Sequence, residues 1–139
     1  MDKATKIAAI KNRLERAKDD LETARVALAG GKWRGAANRA YYTVFHVASA
    51  ALLWHDQERA KHSGVESTFS EIFIKTGLIE KEYFRMYLDA RKTREQQDYE
   101  MSAPLLAEEK ARQIVAEADR FVARLKEYLR TVGAIEEGK

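Results

Sequence analysis

Residues 38–54 read NRAYYTVFHVASAALLW. From Tyr41 onward the stretch is apolar almost all round, broken only by Thr43, His46 and Ser49. A helix without a wet face must be covered on most sides. The spacing therefore predicts a central helix, over about 32–55, enclosed by other helices. In a chain this short, a partner subunit is expected to supply part of that cover. The run is too short to span a bilayer and carries His46.

Reading outward, the N-terminal side carries Ile7, Ile10, Leu14, Ala17, Leu21, Ala24 and Leu28, in alternating steps of three and four. That seam predicts a first helix over about 4–29, packed on a long antiparallel neighbour. Gly30-Gly31 supplies its stop. On the C-terminal side, Ser63 and Glu66 have the spacing of a capping box. They predict a short third helix with Val65, Phe69, Ile72 and Phe73 inward and Gly77 at its end. A fourth helix is expected over about 80–99. A fifth is expected from an N-cap at Ser102, with Pro104 in its first turn. Its seam is Ala111, Ile114, Ala118, Phe121, Leu125, Tyr128 and Val132. No segment alternates as a strand does.

The expected fold is all-α: an up-and-down helical bundle of about five helices, four long and one short. One domain over 1–139 suffices, with its core in about 4–132 and a frayed tail at 133–139. The 25 basic and 22 acidic residues leave +3, with the signs interleaved. That balance permits an acidic partner such as RNA without arguing for one. The absence of cysteine excludes disulfides and thiolate metal sites and fits a reducing cytoplasm. The N-terminus has no uninterrupted apolar core of a signal peptide. A cytoplasmic protein with no membrane segment is expected.

The fourth helix holds the stretch that points to function. RKTREQQDYE, residues 91–100, continues the apolar stripe of Phe84 and Tyr87 with Arg91, Arg94 and Asp98. Two readings stand. Arg94 and Asp98, four apart, form a structural ion pair, or the carboxylate holds an arginine whose planar fork grips a phosphate. Arg91 extends the row towards a nucleic-acid backbone, or lies half exposed with its stem on Tyr87. Tyr99 is a hydrogen-bonding partner in the cleft, or a packed tyrosine with a satisfied hydroxyl. Asn38, Arg39, Tyr42 and His46 of the central helix could face the same cleft. His46 otherwise reads as a core or interface histidine, His62 as a helix-start residue and His55 as a solvated helix end. Three scattered histidines without a matching carboxylate or thiolate pattern make no metal site. No glycine-rich phosphate loop, GxSxG or HExxH occurs. No cofactor is expected.

Three elements, NRAYYTVFHVASAALL (38–53), HSGVESTFSEIFIKTGLI (62–79) and RKTREQQDY (91–99), occur in order. Together they resemble the HEPN domain, and more narrowly the small stand-alone prokaryotic HEPN proteins with an RxxxDY element (UPF0332-like). The resemblance covers about residues 10–130. It implies a helical bundle that pairs into a homodimer. It also implies a separately encoded minimal nucleotidyltransferase as partner, in a toxin–antitoxin-like or nucleotide-binding module. Many HEPN proteins are metal-independent ribonucleases whose signature is an arginine followed four to six residues later by histidine. Here five on from Arg94 stands Tyr99, preceded by Asp98, and no histidine follows His62.

Carried over on that basis, Arg94, Asp98 and Tyr99 are the catalytic candidates. Arg91, Arg94 and Arg39 are the phosphate- or nucleotide-binding ones, and Asn38, Tyr42, His46 and His62 support the cleft. By the same resemblance Tyr99 is a candidate for modification by a nucleotidyltransferase. Three functions follow: the nucleotidyltransferase's partner, a metal-independent endoribonuclease toxin with a degenerate motif, or a purely structural bundle.

Overall fold

In a computed structural model, which describes residues 1–99 and 104–136, the chain folds into five α-helices. They are α1 (Lys3–Ala29), α2 (Trp33–Trp54), α3 (His62–Phe69), α4 (Lys81–Tyr99) and α5 (Glu108–Thr131). No strand occurs among the described residues. None of the helices is long and apolar enough to cross a membrane. α3 runs on into a wider π turn, Ser70–Ile74, closed by the bond from Lys75 N–H to the Ser70 carbonyl.

The α1 seam is used as its spacing predicts: Ile10, Ala17, Leu21 and Ala24 are buried. It lies antiparallel to α2, so that the Lys6 ammonium at the start of α1 donates to the carbonyl of Trp54 at the end of α2. Gly31 makes this hairpin possible. Its φ of 74° lies in the left-handed region, and the Gly31 and Lys32 amides bond back to the carbonyls of Leu28 and Ala27. Gly133 closes α5 by the same device, with φ at 80° and the amides of Gly133 and Ala134 on the carbonyls of Arg130 and Leu129. The closure seats Ala134 in the core at 2% exposure. Ala134 is thus buried and Ile135 half-buried, unlike the frayed tail expected from 133, while Gly133 itself is exposed. Residues 137–139 lie outside the described part.

α2 is the enclosed helix, with 14 of its 22 residues buried. Helices α1, α3, α4 and α5 cover it within the one chain. No partner subunit is needed for that cover, so its apolarity is not evidence of an interface.

Two helix starts differ from expectation. α3 begins two residues ahead of the start that a Ser63 cap would set, with Lys61 at the N-cap position, and no side chain caps it. Glu66 has left the local capping position and binds Arg91 of α4 instead; a charge-assisted bond outweighs a cap. α5 begins at Glu108 after Ala107, not near residue 102. The Gln97 side chain donates to the Pro104 carbonyl and accepts from Leu106 N–H, which diverts the first expected turn from helix. Ser102 lies outside the described residues. His55 is not a solvated end either: its Nε2 lies 2.6 Å from the Tyr128 hydroxyl, and its ring meets Phe73 edge-on.

Candidate functional site: an arginine cleft on α4

Residues 84, 87, 91, 94 and 98 fall on one face of α4, which the bundle covers in part: Tyr87 is buried and the other four are partly buried. Tyr87 is fully buried against Phe69 and Phe121. One turn on, Arg91 gives its Nε to Glu66 and an Nη to Glu95, each at 2.8 Å. Its charge is therefore already matched inside the protein, which weakens its candidacy as a phosphate ligand.

Arg94 is placed differently. Its side chain is only 10% exposed. The guanidinium lies 4.6 Å from the ring centre of Tyr41, 5.7 Å from that of Tyr42 and 5.9 Å from that of Tyr99. Such faces attract a cation without taking up its N–H donors. Asp98 stands 3.6 Å away, near enough to supply charge and too far for a good hydrogen bond. The buried Nε of Arg94 has no hydrogen-bond partner among the described residues.

Asp98 is held from α2. It accepts from Asn38 Nδ2 at 3.2 Å and from Arg34 at 3.4 Å. Asn38 is oriented in turn, since its Oδ1 accepts from Nε and Nη2 of Arg39 at 3.1 and 2.8 Å. Arg39 lies 4.7 Å from the centre of the Tyr42 ring and bonds Asp20 of α1 at 3.0 Å. A chain of polar contacts thus runs Asp20–Arg39–Asn38–Asp98 and ends beside Arg94. Burial raises the pKa of Asp20, against the pull of Arg39.

Two clefts meet at the Arg94–Asp98 pair. One, of about 480 Å³, is lined by Tyr41, His62, Ser63, Glu66, Arg91, Arg94 and Glu95. The other, of about 520 Å³, lies over Lys32, Arg34, Asn38, Arg39 and Asp98. His62 enters the first from the start of α3. Its Nδ1 is 3.1 Å from the Tyr41 hydroxyl, and its ring packs 4.2 Å from that of Phe45. Burial, and then the charge of Arg94, lower its pKa, so the imidazole is neutral near pH 7. Burial lifts the Tyr41 hydroxyl to about 12, which keeps it protonated.

The other candidates scatter. Tyr42 is half-buried beneath both arginines. Tyr99 is 71% exposed, not the packed tyrosine of the alternative reading. His46 lies outside both clefts, with Tyr42 edge-on to Phe45 between it and Arg94. Its Nδ1 accepts from Arg13 at 3.2 Å and its Nε2 faces Asp20 at 3.6 Å. An arginine can only donate, so Nδ1 carries the lone pair and the ring is neutral. Burial first, then Arg13 and Arg16, push its pKa down to about 4. Among the described residues no cluster of three or more His, Asp or Glu could hold a metal.

A family model described as the HEPN domain matches residues 10–128. The chain belongs to the HEPN family. Curated relatives agree in length as well as in sequence. A protein named "Putative toxin MJ0605" from Methanocaldococcus jannaschii is 35% identical over 119 residues, 86% of this chain and 87% of that one. A second from the same organism, "Putative toxin MJ0142", is 30% identical over 84% of this chain and 78% of its own. A UPF0332 protein of Thermotoga maritima is 37% identical over 60% of this chain and 64% of its own.

In this HEPN chain, sequence reasoning missed the roles of four members of the site. Glu66 was legible only as a cap. Arg34 and Asp20 sit on helices 64 and 19 residues from their partners Asp98 and Arg39, and no spacing rule reaches that far. Tyr41 is recognisable as aromatic near arginine, but not as the platform beneath Arg94.

Proposed function

We propose that this HEPN protein acts as a homodimer with a separately encoded minimal nucleotidyltransferase, in a toxin–antitoxin-like module, and that the Arg94 cleft contacts an RNA phosphate or a nucleotide. One observation carries the reading. Arg94 is held nine-tenths buried on a tyrosine platform, lines a cleft, and has its nearest carboxylate, Asp98, no closer than 3.6 Å. A guanidinium whose charge is only loosely matched is suited to an anionic oxygen arriving from outside. Membership of the HEPN family, and relatives whose names say toxin, support the module. Exposed Tyr99, 5.9 Å from Arg94, is open to modification by the partner.

The test has two parts. The chain should sediment as a dimer and co-purify with the nucleotidyltransferase encoded beside it. A fluorescent single-stranded RNA or AMP should bind in EDTA, and Arg94→Ala should weaken binding by about tenfold or more. A monomer at micromolar concentration, or equal binding by Arg94→Ala, overturns the reading.

The metal-independent ribonuclease is the second reading, favoured by His62. A neutral imidazole whose Nδ1 is engaged by Tyr41, lining the same cleft as Arg94, can accept a ribose proton through Nε2. Arg94 would steady the charge gathering on phosphorus. Asp98, already shared by Asn38 and Arg34, is better placed to orient than to move protons. Cleavage that survives EDTA and is lost in both Arg94→Ala and His62→Asn supports this reading; intact RNA with wild-type protein ends it.

A further inference from the structure

A second cavity, of about 350 Å³, opens between the first half of α1, the end of α2 and the 55–61 connection. Asn12, Arg13 and Arg16 of α1, Ser49 of α2, and Gln57 and Arg59 of the connection line it. None of these residues lines either cleft at Arg94.

Its three arginines share an unusual state. Most surface arginines here hold a carboxylate: Arg85 binds Glu117, Arg120 binds Glu82 and Arg124 binds Glu80. Among the described residues, Arg13, Arg16 and Arg59 hold none. Arg13 donates to the neutral His46, Arg16 to the Asn12 amide oxygen, and Arg59 to the Glu58 carbonyl and the Gln57 amide. Every one of these partners is uncharged. The exposed Glu58 carboxylate also borders the cavity, yet it forms no ion pair with any of the three.

Ser49 is a separate sign. It is 8% exposed, and its hydroxyl is buried with no hydrogen-bond partner. Within a helix such a hydroxyl commonly turns back to the carbonyl four residues earlier. Thr43 in the same helix does so, onto Arg39. Ser49 does not, and its donor is left beside the cavity. An unmet buried hydroxyl is costly unless something binds it. The stem of Arg59 lies beside Gly64 at the start of α3, where a Cβ would meet the Arg59 Cβ at 3.4 Å, an ordinary contact.

We propose that this cavity is a phosphate-binding site, separate from the Arg94 cleft. Three guanidiniums with uncharged partners, two amides and one unmet hydroxyl are all able to donate, which is what a tetrahedral dianion with four acceptor oxygens needs. The volume accommodates one phosphate with its sugar. That phosphate is either the terminal group of a mononucleotide or one diester of an RNA strand.

The test uses the full chain and three probes followed by calorimetry: inorganic phosphate, AMP, and an RNA tetranucleotide with hydroxyls at both ends. At least one should bind saturably to the Arg94→Gln chain, in which the Arg94 cleft is silenced. Adding Arg13→Gln/Arg16→Gln to that chain should weaken this binding by about tenfold or more. Adding Ser49→Ala should weaken it several-fold. AMP without the tetranucleotide identifies a terminal phosphate, and the reverse identifies a diester. Arg59→Gln, in the exposed connection, repeats the test without touching a helix. Absence of saturable binding by all three probes overturns the site. So does binding to the Arg94→Gln chain that survives both the added double variant and added Arg59→Gln.

Discussion

Asn38 donates its side-chain amide to Asp98 across the α2–α4 contact, at 3.2 Å. The amide cannot turn away, because its oxygen is held by Arg39. Asp98 is thereby set at Arg94 by the central helix, and not simply by its place one turn on in α4. Asn38→Ala should therefore act on Asp98. A double-mutant cycle of Asn38→Ala with Asp98→Ala is expected to return a coupling of about 0.5–1.5 kcal/mol in urea unfolding. Additive losses would mean the contact contributes nothing.

Tyr41 serves Arg94 by its face and His62 by its hydroxyl. The two services separate by substitution. Tyr41→Phe keeps the face, so Arg94-dependent binding of RNA or nucleotide should stay within about twofold. Tyr41→Leu removes the face, and binding should fall by about 0.5–2 kcal/mol, or roughly 2- to 30-fold. If Phe weakens binding as much as Leu, the hydroxyl is the service that matters, and the platform account fails.

His46 makes stability depend on pH in a direction that follows from its surroundings. Its folded pKa of about 4 lies below the ordinary 6.5. Between those values the unfolded chain binds the proton and the folded chain does not, so stability falls as pH drops from about 6.5 to about 4. The full loss is at most about 3 kcal/mol. Asp20 opposes it at the acid end. Its folded pKa is raised, so it holds a proton that the unfolded chain has released just above pH 3.8. His46→Gln should flatten the slope over pH 4.5–6.5, measured by chemical denaturation. An unchanged slope would place the responsible proton elsewhere.

What the sequence made legible divides along one line. The seams of α1 and α5 and the glycine pair at 30 and 31 are local signals, and these survived into the fold. Even the charged row on α4 was legible as an inward face, because helical period alone sets Arg94 in line with Tyr87. Contacts that pair residues far apart were not legible. Glu66 abandoned its cap for Arg91, 25 residues away, and the start of α5 moved because Gln97 took its backbone. His62 looked like a helix-start residue. It joined the cleft because α3 packs on α2 beside Tyr41, which no pattern within either segment encodes.

Tyr87 carries the last prediction. Its ring is fully buried, edge-on to Phe121 at 5.9 Å and tilted against Phe69 at 5.8 Å. Its hydroxyl has no hydrogen-bond partner among the described residues, and burial pushes its pKa well above the usual 10. The group therefore never ionises in the working range, and it was stripped of water with nothing in return. Leaving a buried hydroxyl unmet costs on the order of 1–3 kcal/mol. Tyr87→Phe keeps the ring and removes the unmet group. The variant should be as stable as the parent, or more stable by about 1 kcal/mol. Tyr87→Ala should lose about 3–5 kcal/mol, because it empties the space between α3, α4 and α5. Both are read from urea midpoints at an unchanged m-value. A Phe variant less stable by more than about 1 kcal/mol would mean the hydroxyl has a favourable partner in solution after all, and the position would have to be reread as part of the polar network that begins one turn on at Arg91.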